Sequence, residues 1–157
     1  MNISVDISGL EALDALADGF ESKVPEFLNR LAQMGMEQAQ LDYVMARYDG
    51  EKDVSVTTEQ RGENVVAIVA AGKSVLFLEF GAGYLFGFGH PEADKYDMGP
   101  GTYPTTKPEG EQGWNDPNGW WYAHNKHTYG NAPAMGMYNA RKTIEMELTR
   151  IAQEVFM

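Results

Sequence analysis

The sequence predicts an α+β fold: a small antiparallel sheet packed against a long N-terminal helix and a C-terminal helix, with a long insert rich in glycine and aromatic residues. Three observations predict it. Apolar residues recur at helical spacing in the first 50 residues and again in the last 25 or so. Two β-rich runs stand side by side at 53–72. The segment 81–130 holds 10 of the 17 glycines, 5 of the 7 prolines and 10 of the 18 aromatic residues, a texture found nowhere else in the chain. A chain of 157 residues suffices for one domain with one core. The expected organisation is a single domain over 1–157, with helices and a β-hairpin in 1–80, the extended insert in 81–130 and the C-terminal helix in 131–157.

Taken in order, Ile3, Val5 and Ile7 alternate with polar residues and suggest an edge strand. Ser8 is placed to cap a short helix over 9–18 that carries Leu10, Leu13 and Leu16, and Gly19 is expected to break it. A longer helix over 21–48 follows, with Val24, Phe27, Leu31, Met34, Leu41, Met45 and Tyr48 as its buried stripe. Pro25 falls in its first turn, and Asp49-Gly50 ends it. The runs DVSVTTEQ and NVVAIVAA flank Arg61-Gly62-Glu63 and read as a hairpin closed by Gly72. The next run, SVLFLEFG, alternates too imperfectly to separate a strand from a helical turn. The insert is too dense in aromatics for a disordered linker, and an ordered excursion with short strands is expected. The last helix, over 133–156, presents Met137, Ile144, Leu148, Ile151 and Val155 on one side.

Composition narrows the function classes. With 23 acidic against 12 basic residues, the net charge of −11 opposes any grip on a phosphate backbone. No apolar run approaches the ~20 residues that span a bilayer. The opening MNISVDISGLEALD lacks the basic-then-apolar layout of a signal peptide. The absence of cysteine removes disulfides, thiol nucleophiles and Cys-based zinc sites together.

Three constellations carry chemistry. His124 and His127, with His90 the only other histidine, offer a His-based metal site, completed by Asp94, Asp97 or Asp116. That is the basis for an alternative reading as a small metal-dependent hydrolase using His90, His124 and His127. Their flanks are not helical in character, so the spacing lacks the force of a helical HxxxH pair. Trp114, Trp120 and Trp121 supply stacking surfaces and support a second alternative, a sugar-binding module. The same residues, with Tyr122 and Tyr129, are equally what a protein–protein interface uses as anchors. No Gly-x-Ser-x-Gly element and no phosphate-binding glycine loop is found, since GAGYLFG departs from GxGxxG. No catalytic residue and no cofactor is expected.

Several short motifs then line up: LEFGAG at 78–83, MGPGTYP at 98–104, GWWY at 119–122 and HTYGNAPAMGMYNA at 127–140, ahead of an amphipathic C-terminal helix. In that order, with the ISGL start at 7–10, they resemble the tail-completion or neck proteins that join head and tail in long-tailed bacteriophages. The resemblance covers most of the chain. Where the family commonly has a second proline, and often an arginine, before the last helix, this chain has Gly136. The insert is also longer than in many relatives.

The resemblance implies a non-enzymatic virion protein of the neck or tail, assembled in the host cytoplasm. It implies a homo-oligomeric ring of six or twelve copies, in contact with neighbouring connector, head-closure and tail proteins. Genomic DNA would pass through the ring without specific binding, and no membrane is involved. The acidic excess suits a lumen to which DNA does not adhere. On this reading Glu79-Phe80-Gly81 forms a packed turn with Phe80 buried, and Pro133 starts the last helix. Trp114, Trp120, Trp121, Tyr122 and Tyr129 form the subunit or partner interface.

Overall fold

The structure, a computed structural model, describes residues 10–48, 50–83, 89–98, 116–122 and 126–157, with side chains from residue 17 onward and Tyr122 by its backbone alone. The strand expected at 3–7, the Ser8 cap, Trp114 and His124 lie outside the described residues.

The fold is α+β. Helix α1 spans Leu10–Met45, strands β1 (Ser55–Gly62) and β2 (Val65–Ala71) form an antiparallel hairpin, and a short helix α2 covers Val75–Phe80. A second ribbon pairs β3 (Trp120–Tyr122) with β4 (Lys126–Thr128), and helix α3 closes the order at Gly136–Phe156. The frame is the α1–α3 pair, with the β1–β2 hairpin packed on α1.

Neither Gly19 nor Pro25 ends α1, which runs unbroken through both. An interior glycine costs about 1 kcal/mol against alanine and a proline about 3 kcal/mol. Tertiary contact offsets these penalties. Phe20 stacks on Phe156 at 5.3 Å between ring centroids, and Phe27 meets the same ring at 5.4 Å, so both turns are anchored to the end of α3. SVLFLEFG, ambiguous in sequence, is helical. Asp53 explains its start: its carboxylate accepts the backbone N–H groups of Lys73 at 2.7 Å and Ser74 at 2.9 Å, together with the Ser74 hydroxyl. Those bonds hold the Asp53 carboxyl down at about 2 against an ordinary 3.8.

The buried faces of the helices differ from the apolar stripes of the sequence. Leu31 is buried and Phe27 and Met34 pack beside it, but Leu41 and Met45 point to solvent, 56% and 72% exposed. Ala39 and Tyr43 take the inner positions instead. On α3, Ala140, Ile151 and Val155 are buried whereas Leu148 is turned outward. Ala39 and Ala140 share one core cluster with Tyr43, Val56 and Leu78, so the helices meet there through small side chains. Leu78, fully enclosed, carries α2 into that centre.

Candidate functional site

The insert leaves and rejoins the frame at one point. Ala82 and Asn131 form an antiparallel bridge, each N–H donating to the other's carbonyl at 3.0 and 2.9 Å. The Asn131 side-chain amide adds a bond to the Phe77 carbonyl at 2.7 Å. The chain between 83 and 130 is therefore an excursion with a pinned base. Gly81 sits at the pinch with φ of 78°, and a Cβ there would lie 2.9 Å from the Asn131 carbonyl oxygen and from the Pro133 nitrogen. Pro133 thus packs against this crossing. It precedes α3, which begins at Gly136, so the expectation that Pro133 starts the helix is corrected.

Beneath the pinch lies Glu79. It is 7% exposed, and its carboxylate accepts four hydrogen bonds. The Tyr43 hydroxyl donates at 2.7 Å and the Met137 N–H at 2.9 Å to Oε2; the Tyr138 N–H at 3.0 Å and His90 Nε2 at 3.2 Å donate to Oε1. Four donors match the roughly four lone-pair sites of a carboxylate. The arrangement has a cause at the start of α3. Its N-cap residue is Met135, in the left-handed region at φ 58°, with no side chain able to cap. Glu79 supplies the cap from α2, and its charge faces the positive end of the helix dipole. Gly136 completes the fit, because a Cβ there would stand 2.8–2.9 Å from the Tyr43 ring. Burial, then the neighbouring Glu79 charge, pushes the Tyr43 phenol far up from its ordinary value.

His90 ties the insert to this joint. Its Nδ1 accepts the Glu92 N–H at 3.1 Å, which makes Nε2 the protonated nitrogen that donates to Glu79. Its ring packs on Phe80 at 4.4 Å between centroids, and Phe80, itself buried, meets Tyr96 at 5.7 Å. Both nitrogens of His90 are engaged. The group joins α2, the start of α3 and the insert to one another. A pocket of about 380 Å³ opens beside it, lined by Tyr43, Ala70, Leu76, Phe80, Tyr138 and Arg141 among others. Among the described residues no group of three or more His, Asp or Glu is disposed to hold a metal ion, and His127 belongs to the β3–β4 ribbon, paired with Trp121.

That ribbon has two unlike faces. Trp120 points inward, 7% exposed, onto Ala82, Phe77 and Met98, with Thr128 buried across from it. Trp121 points outward, paired with His127. The His127 ring stands edge-on between Trp121 and Tyr129, 4.9 Å from each. Trp121 and Tyr129 are each 51% exposed. Of the sequence-predicted interface residues, the structure therefore brings Trp121 and Tyr129 into one row with His127, and separates Trp120 from them by the pleat. The part of Glu79 as a cap for α3, and the parts of Tyr43 and His90, were not legible from sequence; the one available signal was the lack of any capping residue in APAMGMYN.

Among the described residues no helix is long and apolar enough to cross a membrane. Scans of the chain against protein-family models, curated proteins and solved structures find no match.

Proposed function

We propose that the chain is a structural component of a bacteriophage head–tail junction, one subunit of a neck or tail-completion ring. The observation that carries the reading is the row Trp121–His127–Tyr129. Large, half-exposed rings are held on a ribbon whose other face is anchored to the frame through Trp120. Rigid aromatic anchors presented this way are what a protein interface uses, because little side-chain entropy is lost when they are covered. The ordered motifs LEFGAG, MGPGTYP, GWWY and HTYGNAPAMGMYNA add the resemblance to neck proteins. The Glu79 joint fits a part under mechanical stress, since it fixes the insert's base, α2 and the start of α3 to one another. The net charge of −11 suits a ring that lets DNA pass without holding it.

Electron microscopy of the purified chain at increasing concentration tests this. The reading requires closed rings of six or twelve copies with an opening wide enough for a DNA duplex, and no retention of duplex DNA at low salt. A chain that never exceeds a dimer, or that binds DNA with a steep salt dependence, contradicts it.

A further inference from the structure

The pocket beside the Glu79 joint is walled by rings. Tyr43, Phe80, His90, Tyr96 and Tyr138 all line it, and most of the remaining lining is aliphatic. The rings touch one another. Phe80 stands 4.4 Å from His90 and 5.7 Å from Tyr96, and His90 stands 5.6 Å from Tyr138, between centroids. Two of them already hold cations of the chain itself. Lys95 Nζ lies 5.2 Å from the Tyr96 centroid, and the Arg141 guanidinium lies 5.3 Å from that of Tyr138. An aromatic face attracts a cation through its quadrupole at distances up to about 6 Å.

Behind this wall lies a buried negative charge with no basic partner. The donors to Glu79 are two backbone N–H groups, a phenol and an imidazole. His90 carries its proton on Nε2, because Nδ1 accepts the Glu92 N–H. Among the described residues no Lys or Arg forms an ion pair with Glu79. The α3 dipole offsets roughly half of the charge. Arg141, which also lines the pocket, is engaged by Glu92 at 2.9 Å and Glu145 at 3.5 Å. A buried charge without a counter-ion favours the entry of one. The acceptor positions of Glu79 are all taken, so an N–H brought in by a primary ammonium would lose its water and find no acceptor on that carboxylate. A quaternary ammonium carries its charge with no N–H at all, and its methyl groups suit an apolar wall. The volume of about 380 Å³ falls at the small end of ligand pockets, which run from ~300 to ~1,000 Å³.

From the ring wall and the unmatched charge of Glu79 we infer that this pocket binds a quaternary ammonium group. Phe80, Tyr96 and Tyr138 supply the aromatic contacts, and Glu79 supplies the attraction from behind them. Because His90, Glu92 and Tyr96 belong to the insert whereas Phe80 and Tyr138 belong to α2 and α3, the bound cation also braces the base of the insert against the frame. The site shares no residue with the row Trp121–His127–Tyr129 and does not rest on the ring reading.

Calorimetric titration of the full chain with choline tests this. Two analogues run beside it: the neutral alcohol in which a tert-butyl group replaces the trimethylammonium, and ethanolamine, the primary amine. Choline should bind at least about 10-fold more tightly than either. Tyr96→Leu and Tyr138→Leu keep an apolar side chain and lose the ring, and each should weaken choline about 10-fold, while Tyr96→Phe should bind as the wild type does. Tyr96 is 48% exposed, so its replacement leaves the core untouched. Trp121→Ser should leave choline binding unchanged. Choline that binds no better than its neutral isostere overturns the inference. So does wild-type affinity in Tyr96→Leu, or binding that disappears in Trp121→Ser. Flotation with phosphatidylcholine vesicles separates the two sources of the group. Capture that free choline displaces assigns a lipid headgroup, and choline binding without capture assigns a free small cation.

Discussion

The two ends of α3 are held by opposite means. At its N-terminus the contacts are buried and polar: the Glu79 carboxylate, the Tyr43 hydroxyl, His90 and a glycine against a ring. At its C-terminus they are apolar stacking and surface ion pairs: Phe156 between Phe20 and Phe27, and Arg30 and Arg150 sharing Glu154. The first kind tolerates no vacancy, because removing one partner strands the others without water. The ion pairs of the second end lose little when broken, since both groups return to solvent. The pinned base of the insert sits at the intolerant end, so the position of the ribbon depends on the part of the molecule least able to relax.

Mutations along α3 should break or sharpen that contrast. Glu79→Ala should have the largest effect, about 3–5 kcal/mol in urea unfolding, because two helix N–H groups, a hydroxyl and an imidazole lose their acceptor together. Gly136→Ala should cost about 1–3 kcal/mol, since the Tyr43 ring is fixed by Glu79 and cannot withdraw from the added carbon. An unchanged midpoint for Gly136→Ala would mean that the joint has slack. Tyr43→Phe should cost about 1–2 kcal/mol at neutral pH, one donor to a charged acceptor being lost.

The same residue gives a pH test. The folded phenol titrates above its unfolded value of 10.0, so its contribution is complete below pH 10 and is lost as pH rises beyond it. The wild type should therefore lose stability above pH 10 more steeply than Tyr43→Phe. Asp53 has the opposite sign. Its folded value of about 2 lies below 3.8, so its contribution is complete above pH 4 and drains away as pH falls toward 2. Asp53→Asn should flatten thermal stability across that acid window. Arg150→Ala, at the tolerant end, should leave the melting temperature within replicate scatter, and a clear drop would place the ion pairs in the same class as the joint.

Much of the frame was legible in the sequence. The hairpin runs, the last helix and the change of texture at residue 81 each announce themselves through period or composition. The helix registers were less so, because a reading by apolar size favours Leu41, Met45 and Leu148, whereas the actual contact runs through Ala39 and Ala140 where close approach needs small residues. Gly19 and Pro25 read as local stops, and only the distant Phe156 explains why the helix continues. Of the candidate site, the outward Trp121 and Tyr129 were visible as residues, but their separation from Trp120 follows from a strand too short to show its period. The bond from Glu79 to the start of α3 links positions 58 and 59 residues apart, beyond any local pattern.

On the proposed function, the exposed aromatic row Trp121–His127–Tyr129 is the surface through which the chain assembles into a ring. Native mass spectrometry of the wild type beside Trp121→Ser/Tyr129→Ser, at matched concentrations and with melts recorded for both, addresses it most directly. The wild type should form a closed oligomer of six or twelve copies, and the variant should fall to dimer or monomer while its melting temperature stays put. An identical oligomer in the variant, or a wild type that stops at two copies, contradicts it.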